Sequence, residues 1–203
     1  MEVRDILLAL TTYPEATPVS VVDEAVAFAV ALGARISAIA CEVKIQAPGS
    51  ILAGAVLDIA ALAATEAKKS STNAKTLLAA FQDAAEKHGV FQDRILEHCL
   101  TSEVPDVLVE YARLRDLTIV PVPVGDHFDQ WYAESIIFGS GRATLVMPHT
   151  PKRPGAFALD VVVVAWDFSR PAARAVADAL PLLEKAWPGE SKLRRLRPEI
   201  KPL

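Results

Sequence analysis

The chain has 203 residues, of which 52% are hydrophobic, 23% charged and 6% aromatic, and its formal net charge is −4. This balance is typical of a folded protein of one or two domains and excludes a wholly disordered or fibrous chain. The acidic charge disfavours a nucleic-acid partner, and no apolar run approaches the roughly 18 residues that span a bilayer, so we expect no membrane association.

Short apolar runs alternate with helical patterns along the first part of the chain. The predicted order is a strand over 3–10, a helix over 19–32, a strand over 35–43, a loop over 44–54, a helix over 56–88, a strand over 91–100, a helix over 101–115, a strand over 117–124, a helix over 131–138 and a strand over 143–147. Gly33 and Gly89 follow helical patterns as helix-ending residues. Pro121 and Pro123 are expected to end the pairing of the fourth strand.

This alternation predicts an α/β domain over residues 1–148. Strands separated by helices form parallel sheets with right-handed crossovers. We therefore expect a five-stranded parallel sheet with helices on both faces.

A second, incomplete unit is predicted after a linker at 149–157, which is rich in proline. Within residues 158–203, Asp160–Ala165 predicts a strand and Pro171–Ala186 predicts a helix. Asp160 and Asp178 are separated by the same interval as Asp5 and Asp23, which places strand on strand and helix on helix. The remaining residues form a basic, proline-rich tail, so this unit is a truncated second repeat.

The N-terminus and the two cysteines indicate the compartment. Met1–Asp5 mixes both charges and leads directly into a strand, unlike a secretory signal. Cys41 and Cys99 each lie in an apolar segment. We expect a cytoplasmic protein with two reduced, buried thiols; a disulfide is the alternative.

Short motifs near the ends of both units carry a family resemblance. Val163–Ser169 reads as a strand followed by Asp-x-Ser, Ala133–Glu134 lies on the last helix of the first unit, and Ala143–Val146 forms the next strand after the link Gly139–Arg142. Together these resemble the universal stress protein family in its tandem, two-domain form. The resemblance covers residues 3–186 and implies a nucleotide-binding type of α/β fold.

The same resemblance implies a degenerate nucleotide site. ATP-binding members place glycines after the fourth strand, where backbone N–H groups approach phosphates; only Gly125 remains here, and Asp126, Asp129 and Trp131 are expected to obstruct and repel a triphosphate. The family's Asp after the first strand is replaced by threonines, although the second unit keeps one. The implied nucleotide-site residues are Thr11, Thr12, Gly125 and Asp167.

Other polar groups have simpler interpretations. Gly139–Gly141 follows a helix, so a C-terminal cap is favoured over a phosphate site. Asp126, His127 and Asp129 form an exposed loop without a complete metal shell, so no metal is expected. His98 and Cys99 point to opposite faces of a strand and form no catalytic pair. Ser169 is expected to cap the following helix.

We therefore predict a universal stress protein-like cytoplasmic stress-response protein that acts by binding or protein interaction, not as an enzyme, and without a cofactor. The chain is expected to form a homodimer through the edge of the strand at 143–147. One alternative is a nucleotide-binding or weakly ATP-hydrolysing member that uses Asp167 and the loop Thr11–Tyr13 in a pocket completed by a second chain. Another is a truncated product without function.

Overall fold

The computed structural model describes residues 2–45, 59–123, 127–149 and 162–186. The elements are β1 (Asp5–Leu10), α1 (Val19–Leu32), β2 (Arg35–Lys44), α2 (Ile59–Lys87), β3 (Phe91–Leu100), a 3₁₀ turn (Thr101–Glu103), α3 (Val104–Arg113), β4 (Leu117–Val122), α4 (His127–Gly139), β5 (Ala143–Pro148) and α5 (Arg170–Ala186). The chain divides into two compact units, residues 1–157 and 158–203.

The described strands of the first unit form one parallel sheet in the order β3-β2-β1-β4-β5. Helix α1 packs beside α2, and α3 packs beside α4. Right-handed crossovers place these two pairs on opposite faces, because the chain first moves from β1 towards β3 and then returns to β4 on the other side. The predicted five-stranded α/β sheet is confirmed.

The core lies on both faces of the central strands. Side chains of β1 and β2 are almost continuously buried, as expected for a parallel sheet covered by helices on both sides. The large, fully buried side chains include Ile6, Leu7, Leu8, Phe28, Ile36, Ile39, Phe81 and Ile119. This apolar centre fixes the positions of the strand ends, where a ligand site would lie.

The expectation that Pro121 ends the pairing of β4 is wrong for the side of the strand that faces β5. Pairing with β5 continues through Pro121 opposite Met147 and Val122 opposite Pro148. The carbonyl of Val122 accepts a hydrogen bond from the N–H of His149 at 3.1 Å, so Val122 turns its backbone towards β5. Backbone groups alternate in direction along a parallel strand, and Pro121 therefore turns its nitrogen away from β5. The missing N–H of Pro121 therefore removes no hydrogen bond between β4 and β5.

Other differences concern element bounds and the second unit. Helix α4 begins at His127 and not at 131, so the expectation that His127 and Asp129 lie on a loop is wrong. The predicted strand over 160–165 is wrong for residues 162–165, which have no regular secondary structure. Val163, at 72% exposed, illustrates the reason: a strand is held by a paired neighbour, and β-branched residues alone do not form one. The predicted loop over 44–54 lies mostly outside the described residues.

The second unit, described by itself, contains α5. The hydroxyl oxygen of Ser169 accepts the N–H of Ala172 at 3.2 Å, and Asp167 accepts the N–H of Ser169 at 2.9 Å. Ser169 therefore caps the helix, as its position predicts. Among the described residues of the whole chain, no helix combines the length and apolar character needed to cross a membrane.

The first prediction concerns the core. Phe81 on α2 is fully buried, with its ring centroid 6.0 Å from that of Phe91. Phe81→Ala is expected to lower the free energy of unfolding by about 3–5 kcal/mol, through lost burial and the cavity left behind. Leu62→Ala, on the same helix at a side chain 63% exposed, is the control and should change it by less than about 0.5 kcal/mol. Urea denaturation measures both, and equal effects would contradict this packing.

Candidate functional site

A cleft opens at the carboxyl ends of β1 and β4, where parallel sheets of this kind bind ligands. Its walls come from the end of β1 and the loop after it, from β2 and β4, and from α3 and α4. The residues that line it include Thr12, Cys41, Val104, Leu108, Val120 and Tyr132. The cleft lies where the strand order reverses: β2 and β3 lie on one side of β1, and β4 and β5 lie on the other.

Pro121 explains why the cleft begins where it does. The last pairing between β1 and β4 joins Leu8 to Ile119. Two residues beyond Ile119, Pro121 turns its nitrogen towards β1 but has no N–H to donate. The two strands therefore separate at a position where further pairing offers one fewer hydrogen bond.

The cleft is narrow and mainly apolar. Its free volume of about 10 Å³ is close to the space that one water molecule needs. Tyr132, Leu108 and Val104 occupy the remaining space, and each is at most 5% exposed. Ligand pockets for small molecules measure on the order of 300–1,000 Å³, so the space between the described walls of the cleft is too small for a nucleoside.

Tyr132 fills the place at which the sequence suggested Trp131. Trp131 is 42% exposed and does not line the cleft, so the expectation that it obstructs the site is corrected. Tyr132 is one helical turn from Ile136, and both are buried. This spacing is the signal in the sequence that identifies Tyr132 as the inward residue of α4. The side chains of Asp126 and Asp129 lie outside the described part of the chain.

The loop after β1 closes on itself through paired threonines. The N–H of Thr11 donates to the hydroxyl of Thr17 at 3.0 Å, and the N–H of Thr17 donates to the carbonyl of Thr11 at 2.9 Å. Both residues are buried. These bonds hold the chain in a short turn before α1 begins.

Thr12 connects the same loop to β2 and α2. Its hydroxyl donates to the carbonyl of Cys41 at 2.6 Å and lies 2.8 Å from the hydroxyl of Ser70. Ser70 also accepts the N–H of Val43 at 3.0 Å, and the amide of Asn73 donates to the carbonyl of Thr12 at 3.0 Å. Ser70 donates to Thr12 in the arrangement that satisfies both hydroxyls. The polar groups of Thr12 are thus directed at the protein itself.

The structure brings two of the four sequence-predicted site residues to the cleft. Thr11 and Thr12 lie on its rim loop, where their hydrogen bonds serve the loop. Gly125 lies outside the described residues. Asp167 belongs to the second unit, and its hydrogen bonds with Ser169 hold the pKa of its carboxyl below the usual range. Asp167 therefore serves helix α5 in the structure.

A charged cluster lies beyond the cleft on β2 and β3. The side chain of Glu42 lies 3.2 Å from Nδ1 of His98 and 3.3 Å from Nζ of Lys75. Partial burial raises the pKa of Glu42, but hydrogen bonds from Ser71 and Lys75 outweigh it and hold the pKa below the usual range. Within the described residues, no three His, Cys, Asp or Glu side chains are grouped so as to hold a metal ion.

The expected cap after α4 is confirmed. The N–H of Ser140 donates to the carbonyl of Ile136 at 3.0 Å, and Gly141 adopts a left-handed backbone with φ of 66°. The hydroxyl of Ser140 accepts the N–H of Arg142 at 3.2 Å. These bonds end a helix, and the segment is not a phosphate cradle.

Solved structures of universal stress proteins are similar to this chain. One is a universal stress protein in complex with cAMP, with 15% identity and a TM-score of 0.45, covering 74% of this chain and 100% of that one. A family member from Burkholderia pseudomallei has 20% identity and a TM-score of 0.46, covering 72% and 97%. One from Archaeoglobus fulgidus in complex with dAMP has 13% identity and a TM-score of 0.39, covering 72% and 98%.

Neither protein-family profiles nor curated protein sequences match the chain. The structural similarities lie below 25% identity and below a TM-score of 0.5. The parallel sheet is established independently by the chain's own strand pairing.

The second prediction tests the network that holds the rim of the cleft. Ser70→Ala leaves the N–H of Val43 without its partner and removes a neighbour of the Thr12 hydroxyl, both in a buried site. We expect a loss of about 1–3 kcal/mol in the free energy of unfolding, because an unsatisfied buried donor keeps its desolvation cost. Thr72→Ala, which removes an exposed hydroxyl bonded to its own helix, is the matched control. A neutral Ser70→Ala variant in thermal or urea unfolding would refute this role.

Proposed function

We propose that this chain is a universal stress protein-like stress-response protein of the cytoplasm that acts by binding a protein, including a second copy of itself, without catalysis. The observation that carries this proposal is the cleft, which is closed by Tyr132 at the position where a nucleotide would bind. The family motifs around Ala133–Glu134 and Val163–Ser169 support the choice of family. The parallel sheet agrees with it.

The polar groups of the cleft support a role other than nucleotide binding. Phosphate recognition needs free N–H donors, cations or a helix N-terminus directed at the ligand. At this cleft the hydroxyl of Thr12 and the N–H of Thr11 bond to the protein. The walls contributed by Val104, Leu108 and Val120 are apolar.

The described side chains also favour binding over catalysis. Ser70 is fully buried and bonds to Thr12 and Val43, so it is not placed to attack a substrate. His98 pairs with Glu42, and the same carboxylate also pairs with Lys75. A nucleophile needs an adjacent base within hydrogen-bond reach, and this arrangement supplies an ion-pair cluster instead.

The edge of β5 supports self-association. Among the described residues, β5 pairs only with β4. Because the N–H of His149 points to β4, alternation turns the backbone groups of Thr144 and Val146 outwards. Val146 is 45% exposed, and α4, which packs on β5, exposes Phe138 at 85%. An open strand edge beside exposed apolar side chains is a surface suited to a second strand.

The third prediction concerns nucleotides. Isothermal titration with ATP and magnesium, AMP or cAMP is expected to show no binding at nucleotide concentrations up to about 1 mM. Any binding free energy is therefore expected to be weaker than about −4 kcal/mol. The reason is the closed cleft and the internal use of its polar groups. Tyr132→Ala is the informative variant, because any gain in affinity would locate the obstruction at that side chain.

Low-micromolar affinity of the unmodified chain for any of these nucleotides would overturn the proposal. In that case Asp167→Ala distinguishes between a nucleotide site in the second unit and one in the cleft. Lost binding would assign it to the second unit, and unchanged binding would assign it to the cleft.

The fourth prediction concerns assembly. Sedimentation at micromolar concentration is expected to show a homodimer of the 21.8 kDa chain. Val146→Lys should shift the protein to monomer, since it places a charge on the open edge at a partly exposed position. Leu62→Lys, at a side chain 63% exposed on α2, is the control and should leave the dimer intact.

A second variant separates backbone pairing from side-chain charge. Val146→Pro removes one outward N–H from β5 while leaving the bonds to β4, as proline is tolerated on an edge strand. A wild-type monomer at these concentrations, or a dimer that persists in both Val146 variants, would show that this edge is not the interface. Circular dichroism confirms that each variant is folded.

A further inference from the structure

The two cysteines lie on neighbouring strands and face the same side of the sheet. Cys41 on β2 is opposite Glu97, and Cys99 on β3 is opposite Val43. Each cysteine is therefore two residues from the partner of the other, and this even spacing places both side chains on one face. Both belong to the buried cluster beneath α3, and neither is in a disulfide. The prediction of two buried thiols is confirmed, but they are a pair.

Each thiol shifts the pKa of the other. A hydrogen bond between them, together with burial, raises the pKa of Cys41. The same hydrogen bond lowers the pKa of Cys99, against the opposing effects of burial and of the Glu103 and Glu97 carboxylates. Of the two thiols, Cys99 is thus the one that ionises first. A thiolate beside a second thiol is the arrangement from which disulfides form.

The position of the pair links it to the cleft. Cys41 lines the cleft, and its carbonyl accepts the hydroxyl of Thr12. The free volume of about 10 Å³ holds at most one water molecule, so hydrogen peroxide does not enter through the cleft and reaches the pair at the exposed part of Cys99. Cys99 lies on β3 at the opposite edge of the sheet from β5 and is 7% exposed.

We propose that Cys41 and Cys99 are a reversible oxidation site, at which hydrogen peroxide converts the two thiols into an intramolecular disulfide between β2 and β3. The Cys99 thiolate attacks one peroxide oxygen, the O–O bond breaks, and the departing hydroxide leaves as water with the proton that Cys99 gave up. The sulfur of Cys41 then attacks the sulfenic sulfur of Cys99, and the S–O bond breaks. The second hydroxide leaves as water with the proton of Cys41.

Both sulfurs are oxidised and the peroxide is reduced to two waters. A dithiol such as dithiothreitol reverses the change by exchange. The site goes beyond the function proposed above and does not depend on it, because it requires neither a nucleotide nor a second chain. Its consequence for the cleft is direct, since the new bond includes the residue whose carbonyl holds Thr12.

The test uses the unmodified chain. The folded protein is treated with an equimolar amount of hydrogen peroxide, unfolded in the presence of an alkylating reagent, and measured by intact mass and peptide mapping. We expect both alkylation sites to be lost together, one linked peptide pair that contains Cys41 and Cys99 within a single chain, and full recovery of both thiols after dithiothreitol. Two alkylated thiols, or a disulfide only between chains, would overturn the proposal.

Single variants test the roles of the two sulfurs. In Cys41→Ser, Cys99 is expected to accumulate as a sulfenic acid that a dimedone probe captures. In Cys99→Ser, Cys41 is expected to remain unmodified at the same peroxide dose. Dimedone capture at Cys41 in Cys99→Ser, with none at Cys99 in Cys41→Ser, would refute the assigned order of attack. If either variant fails to fold, the peptide map of the unmodified chain still decides whether the site exists.

Discussion

The missing N–H of Pro121 is the constraint on which the site depends. A parallel sheet continues for as long as the added residues gain hydrogen bonds with the neighbouring strands, and Pro121 has no N–H to donate towards β1. The strand keeps its bonds to β5 because those use the carbonyl of Val122 and the N–H of His149. One side of β4 therefore ends before the other, and the gap beside β1 becomes the cleft.

What fills that gap decides the chemistry available there. Tyr132 enters from α4 and apolar side chains enter from α3, which leaves little free volume in the cleft. The rim loop meets its own polar requirements through Thr12, Ser70 and the carbonyl of Cys41. A site with satisfied hydroxyls and an occupied interior is stable as it stands, so ligand entry requires both packing and hydrogen bonds to be broken. The edge of β5, which pairs only with β4 among the described residues, carries no such requirement.

Much of the fold could be predicted from local signals. The bounds of α1 agree with the prediction because Gly33 takes a left-handed conformation at the helix end, and the start of β3 agrees because Gly89 does the same after α2. The strand predicted before α5 failed because a β-branched run forms a strand only beside a partner, which local sequence does not specify.

The contacts of the site were harder to predict from the sequence. The position of Thr11 and Thr12 after β1 was enough to predict that they lie at the cleft. The hydrogen bond between Thr12 and Ser70 was not predictable, because Ser70 lies on α2 and no sequence motif links the two residues. The choice between Trp131 and Tyr132 depends on which of two adjacent residues faces inwards, and it is settled by the phase of α4 against the sheet. The contact between Cys41 and Cys99 follows from the register of two strands separated by a long helix.

The bond between Thr12 and Ser70 joins residues 58 positions apart, and Tyr132 is further along the chain still. On a ribosome, the chain emerges from its N-terminus at about 5–20 residues per second. The rim of the cleft is therefore unable to close until α2 has emerged, and its interior is unable to fill until α4 has followed. For a period of several seconds in the synthesis of each molecule, the ends of β1 and β2 face solvent or the cell's chaperones, with Cys41 uncovered by its later neighbours.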